Sequence, residues 1–207
     1  MITLSYSTIF MLHNQSHNWI NKQMGRKQEE RYYFTEGKEA HRMIQDHVAG
    51  LKKHPLLAHI EEHFPIVEQK DFDPKTKFEF SPAEGYTMVG WADGLNLETK
   101  RILEIKTSTT GWTIMKFKKS MQRKVYSIGF PWSKEAVLIT CDRLPTYWER
   151  NKPKVMSLEQ TAEDKKEAME WILEGIKILE AGKFDGGLVD GKCVDPYCNY
   201  GINCYFK

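Results

Sequence analysis

No unbroken apolar run reaches the roughly 18 residues that a membrane-crossing helix requires, so no membrane span is expected. The opening stretch MITLSYSTIFMLHNQSHNW has no basic leader and turns polar by His13, which argues against a signal peptide and for a cytoplasmic protein. Net charge is nearly absent: 30 Lys and Arg against 28 Asp and Glu leave a formal +2, so any electrostatic partner must be read from the distribution of charge. Cysteine is scarce, with four residues, and three of them (Cys193, Cys198 and Cys204) crowd into the tail. Without an export leader, such clustering points to a metal or an iron–sulfur cluster more than to disulfides. Cys141 sits in the apolar run Ala136–Cys141 and reads as a core thiol. There is no internal repeat and no low-complexity segment.

What is present suffices for one folded domain. Hydrophobic residues make up 41% of the 207 positions and charged residues 28%, a balance that builds a core and stays in solution. Capping and apolar spacing predict helices over Ser5–Met24 (N-cap at Ser7), Glu36–Leu51, Pro55–His63, Trp112–Gly129 and Leu158–Ala181. Short β-rich runs predict strands at Ile66–Phe72, Lys77–Phe80, Tyr86–Leu97, Arg101–Thr107, Glu135–Cys141 and Thr146–Arg150. The order implies an α/β domain with a mixed central sheet flanked by helices. Residues 1–34 form a helical N-terminal segment, 35–157 the core, and 158–207 a helix with a Cys-containing tail.

One stretch carries more polarity than packing requires. Gly90–Lys106 reads as a hairpin around the tip Glu98-Thr99-Lys100, with Asp93 on the first strand and Glu104-Ile105-Lys106 on the second. Residues two apart on a strand share a face, so Glu104 and Lys106 point one way while Leu103 and Ile105 point the other. A charge placed among apolar neighbours is costly unless it is paired or holds a metal. Asp93, Glu104 and His41, on the inner stripe of the second helix, are candidate ligands of a hard divalent ion, Mg²⁺ or Mn²⁺, with the imidazole favouring Mn²⁺. Such an ion acidifies water and stabilises charge on a phosphoryl oxygen, and Lys106 would work beside it. Taken alone, the triplet is equally explained by a surface Glu–Lys pair. Downstream, Lys116, Lys118, Lys119, Arg123 and Lys124 form a basic run suited to phosphate contacts, with Trp112 placed to stack on a base. A competing motif, His59-Ile-Glu-Glu-His63, has the H-x-x-E-H spacing of inverted zinc proteases, but the segment is short and no third ligand follows.

Four short motifs in order give the hairpin its meaning. Gly37-Lys-Glu-Ala-His41, Gly90-Trp-Ala-Asp93, Glu104-Ile-Lys106 and Gln122-Arg-Lys-Val-Tyr126 together resemble the pattern of RecB-type members of the PD-(D/E)xK nuclease superfamily, with Glu68 similar to an acidic position ahead of the hairpin. The resemblance spans Gly37 to Tyr126 and implies a restriction-endonuclease-like core. It also implies His41, Asp93, Glu104 and the Ile105 carbonyl as metal ligands, Lys106 as catalytic lysine, and Gln122 and Tyr126 as site support. DNA is then the substrate. A metal-dependent exonuclease in phage or bacterial recombination, repair or replication is the expected activity, alone or with a homo-oligomer or partner protein; a non-catalytic DNA-binding module on the same fold is the alternative. The family's Pro before the Asp is Ala92 here. Some relatives hold a [4Fe–4S] cluster through one N-terminal and three C-terminal cysteines, and Cys193, Cys198 and Cys204 resemble the latter. The segment Leu4–Ser7 resembles the one leading to the first ligand, but Gln15 stands about where that cysteine falls. The tail is left open between an incomplete cluster site and an unligated remnant.

Overall fold

The strand Arg101–Thr107 is the centre of the molecule's larger sheet because both its faces are covered. In the computed structural model, Leu103 and Ile105 pack with Val137 and Ile139 into one buried cluster, while Ile102, Ala136 and Leu138 lie on the opposite face with Phe117. The structure describes residues 1–28, 32–48, 50–63, 67–68, 74–109, 111–186, 188–193, 198, 200 and 203–206.

In chain order the elements are β1 (Ile2–Leu4), α1 (Tyr6–Asn14), α2 (His17–Gln23), α3 (Tyr32–Val48), a 3-10 segment (Pro55–His63), β2 (Val67–Glu68), β3 (Lys77–Phe80), β4 (Tyr86–Trp91), β5 (Gly94–Asn96), β6 (Arg101–Thr107), α4 (Ile114–Lys118), α5 (Met121–Gly129), β7 (Glu135–Cys141), β8 (Lys154–Glu159), α6 (Ala162–Ala181), β9 (Leu188–Val189) and β10 (Lys192–Cys193). Contacts divide the chain into two units, one of 1–31, 80–89 and 167–207, the other of 32–79 and 90–166. Among the described residues no helix is long and apolar enough to cross a membrane.

The second unit holds a mixed sheet of order β2-β5-β6-β7-β8. β6 is antiparallel to β5 and parallel to β7, so the β6–β7 connection must cross over, and α4 and α5 make that crossing. Helix α3 lies on the Leu103/Ile105 face through Ala40, Ile44 and Val48. Its approach is close because Gly37 has no side chain: a Cβ there would stand 2.9 Å from Thr107 Oγ1. The Phe78 ring is confined in the same way, since a Cβ on Gly90 or Gly129 would come within 2.6 Å of it. In the first unit, β1 runs parallel to Tyr86–Met88, and α1 meets α6 where Gly175 leaves space for Ile9. His13 stacks on Trp171 and its Nε2 reaches the Trp171 carbonyl at 2.8 Å.

Several expected elements are divided. The first helix breaks at Gln15-Ser16, with Ser5 rather than Ser7 as N-cap. Tyr86–Leu97 is two strands in different sheets, separated at Ala92-Asp93. The basic helix breaks at Lys119-Ser120, where the Ser120 hydroxyl caps α5 by accepting from Arg123 N–H. Thr146–Arg150 is not a strand. Pro145 starts a 3-10 turn there, and buried Trp148 donates its indole N–H to the Asp142 carbonyl; the strand comes later, as β8. Of the expected strand Ile66–Phe72, only β2 falls within the described residues.

Candidate active site

Asp93 stands at the bend between β4 and β5, and its Oδ2 accepts the Ile105 N–H at 2.7 Å, which fixes the carboxylate over the middle of β6. From α3, His41 Nε2 approaches Asp93 Oδ1 at 3.5 Å. Glu104, on β6 itself, is buried. Its Oε1 takes the Lys106 ammonium, and its Oε2 accepts from the Tyr126 hydroxyl at 2.6 Å. Lys106 also donates to Gln122 Oε1 at 2.8 Å, and Gln122 Nε2 donates to the Tyr126 oxygen at 2.9 Å. Lys106, Gln122, Tyr126 and Glu104 thus close a ring of hydrogen bonds between β6 and α5. Gln122 and Tyr126 can share it because residues four apart on a helix lie on one face.

The electrostatics are those of a site with surplus negative charge. Burial raises the proton affinity of Glu104 above its ordinary value; Lys106 opposes that and the Asp93 charge adds to it. Burial alone would favour neutral His41, but the Asp93 hydrogen bond and the charges of Asp93 and Glu104 outweigh it and raise its pKa. Tyr126 is held well above the ordinary phenol value by burial and by the same two carboxylates, so it stays a donor. Two carboxylates whose charges conflict, with an imidazole beside one, are a donor set that suits a hard divalent cation. A narrow pocket with room for about one water (≈ 10 Å³) is lined by Glu104, Lys106, Trp112, Ser120 and Tyr126, among others.

The basic run does not act as one surface. Lys116, Lys118 and Lys119 are exposed, but Lys124 is buried, and Arg123 is only 3% exposed. The Arg123 guanidinium grips Asp164 with two bonds, Nη1–Oδ2 of 2.8 Å and Nη2–Oδ1 of 2.5 Å, so it belongs to the interior. Asp164 in turn exchanges bonds with Thr161, a reciprocal cap at the start of α6. Trp112 is half-buried against the Phe117, Ala136 and Leu138 cluster. The protease motif lies on a 3-10 segment, and His59 Nε2 is bonded to the Pro153 carbonyl at 2.8 Å. The side chains of Glu68 and His63 lie outside the described residues.

No protein-family model matches the sequence, and no curated protein matches it. A crystal structure from Eubacterium rectale, provisionally named an exonuclease, superposes with a TM-score of 0.53 over 91% of this chain and 86% of its own, at 11% identity. The chain shares the fold of that structure, a mixed α/β sheet flanked by helices. The alkaline exonuclease LHK-Exo from Laribacter hongkongensis gives a TM-score of 0.49 over 87% of this chain and 91% of its own at 17% identity, and its complex with dAMP gives 0.48.

A second constellation lies in the other unit. His17, at the start of α2, comes together with Cys193, Cys198 and Cys204, all buried, with one donor atom from each within 4.8 Å of the others. Gln15, expected at the first-ligand position, instead accepts from Asn18 Nδ2 through its side-chain oxygen at 2.6 Å. His17 was not among the sequence candidates. Its signal was the polar run Asn14–Asn18 between Leu12 and Trp19, which breaks a helix where the apolar pattern would continue it.

Proposed function

We propose that this chain is a metal-dependent deoxyribonuclease, an exonuclease acting on DNA in recombination, repair or replication, with residues 1–207 serving as one nuclease domain. The observation that carries the reading is the ring joining Lys106, Gln122, Tyr126 and buried Glu104, set against the facing Asp93 charge. In this reading His41, Asp93, Glu104 and the Ile105 carbonyl hold Mg²⁺ or Mn²⁺. When bound, the ion supplies an acidified water and a counter-charge for a phosphoryl oxygen.

The residues of the chain do the rest. The Ile105 N–H and the His41 ring keep Asp93 turned toward the middle of β6. Tyr126 keeps Glu104 oriented and, because it stays protonated, never competes as an anion. Lys106 presents an ammonium held between Glu104 and Gln122, positioned to offset charge as it develops on a phosphate. Lys116, Lys118 and Lys119 offer solvent-facing charge to the DNA backbone, a contribution that salt weakens.

The test is cleavage of end-labelled linear DNA with Mg²⁺ or Mn²⁺, alongside a circular substrate of the same sequence. Wild type is expected to degrade the linear DNA and spare the circle, and Asp93→Ala and Lys106→Ala to lose at least about 100-fold in rate. Variants that cut like wild type would overturn the site. Salt-sensitive binding without cleavage under either metal would instead favour the non-catalytic module.

A further inference from the structure

We propose that His17, Cys193, Cys198 and Cys204 form a structural site for a single zinc ion. The first observation is the tautomer of His17. Its ring is fully buried, and Nδ1 donates to the Gly186 carbonyl at 2.7 Å. That bond leaves Nε2 as the unprotonated nitrogen, and Nε2 is buried without a hydrogen-bond partner among the described residues. An orphaned lone pair in the interior is costly, and a metal is the partner that fits it beside three cysteines. A backbone carbonyl on the far ring nitrogen is also how metal-bound histidines are held in orientation.

The second observation is spacing. Four donors around one zinc at ~2.0–2.3 Å stand ~3.3–3.8 Å apart in a tetrahedron. The donors here lie within 4.8 Å, so closing on one ion takes movements of ~1 Å. A four-iron cluster interposes its own atoms and keeps its thiolates farther apart, and it is held in most cases by four cysteines. Three thiolates with one imidazole is instead a standard set for structural zinc. On binding, the ion replaces three thiol protons, including the one Cys198 shares with Asn18 Oδ1, and leaves a net charge of −1 on the site. Asn21 Nδ2, 3.3 Å from Cys204 Sγ, is already placed to donate to that charge, and Asn21 Oδ1 accepts from Tyr205 N–H at 2.7 Å. Cys141 lies in the other unit, in the core cluster beside Val137 and Ile139, and has no part in this site.

The experiment is elemental analysis of the full-length protein, purified anaerobically without a metal-affinity step, together with its sulfide content and visible spectrum. About one zinc per chain in a colourless protein is expected. Because the candidate active site can also take zinc, the same measurement is made on His17→Ala, Cys204→Ser and Asp93→Ala. The first two should lose the zinc and the third should keep it. His17→Cys, which retains a fourth donor, should also keep it if His17→Ala fails to fold. About four irons and four sulfides per chain with a brown colour would overturn the proposal, as would zinc retained by His17→Ala or a metal-free wild type.

Discussion

Tyr126 shows how much one hydroxyl can organise. Its hydroxyl donates to Glu104 and its oxygen accepts from Gln122, which itself accepts a hydrogen bond from Lys106, so three groups of the site are aligned through one atom. Tyr126→Phe removes that atom and keeps the ring that packs on Phe78 and Phe130. The variant is expected to fold, to lose about 10- to 100-fold in kcat with a smaller change in KM, and to be measured by steady-state cleavage of labelled DNA. At this scale the sequence was informative where a residue is out of place locally. Glu104 and Lys106 on an apolar strand announce themselves, and Gln122 and Tyr126 follow from helical spacing. His17 did not, because its partners lie beyond residue 190 and no local pattern connects them. Arg123 misled for the opposite reason: a guanidinium in a lysine-rich run looks solvated, and only the fold brings Asp164 to it.

Among elements, the approach of α3 to β6 determines whether His41 reaches Asp93. A methyl group on Gly37 would meet Thr107 Oγ1 at 2.9 Å, and a helix cannot shift without taking His41, one turn along, with it. Gly37→Ala is therefore expected to cost about 1–2 kcal/mol despite the better helix propensity of alanine, and to lower activity as well. Adding Thr107→Ala should restore most of both, because it removes the obstructing atom; chemical denaturation and cleavage assays on the four members of the cycle would measure the coupling. Strands β3, β6 and β7 and the existence of helices near α3 and α6 were legible from apolar periodicity. The breaks were not. They depend on a capping hydroxyl at Ser120 and on a change of sheet at Ala92-Asp93, and neither interrupts the apolar pattern.

For the molecule as a whole, Asp164 is a contributor to acid sensitivity among the described residues. Burial would raise the pKa of Asp164, but hydrogen bonds from Arg123 and Thr161 outweigh it and bring it below the ordinary 3.8. A carboxylate depressed by folding stabilises the native state fully above its unfolded pKa, and the contribution fades as pH falls through the folded value. Asp164→Asn should cost roughly 3 kcal/mol near pH 7, since it leaves the buried Arg123 charge unpaired. Thermal unfolding of both proteins as a function of pH should show their melting temperatures converging below about pH 4 and separating above it. The mixed α/β class and the nuclease-like fold were visible in the order of motifs, whereas the division into two units was not, because one of them is assembled from three separate stretches of chain.

That discontinuity has a consequence for synthesis on the ribosome. The unit of 32–79 and 90–166 has all its residues once position 166 has emerged, while helices α1 and α2, made before it, must wait for 167–207. Ser16 and its partner Gly186 are 170 positions apart, so at ~5–20 residues per second His17 spends on the order of ten seconds or more without the carbonyl that orients it. Helices α1 and α2 are therefore a part of the nascent chain in need of shelter, and the cysteines that complete their unit arrive more than 160 residues after them.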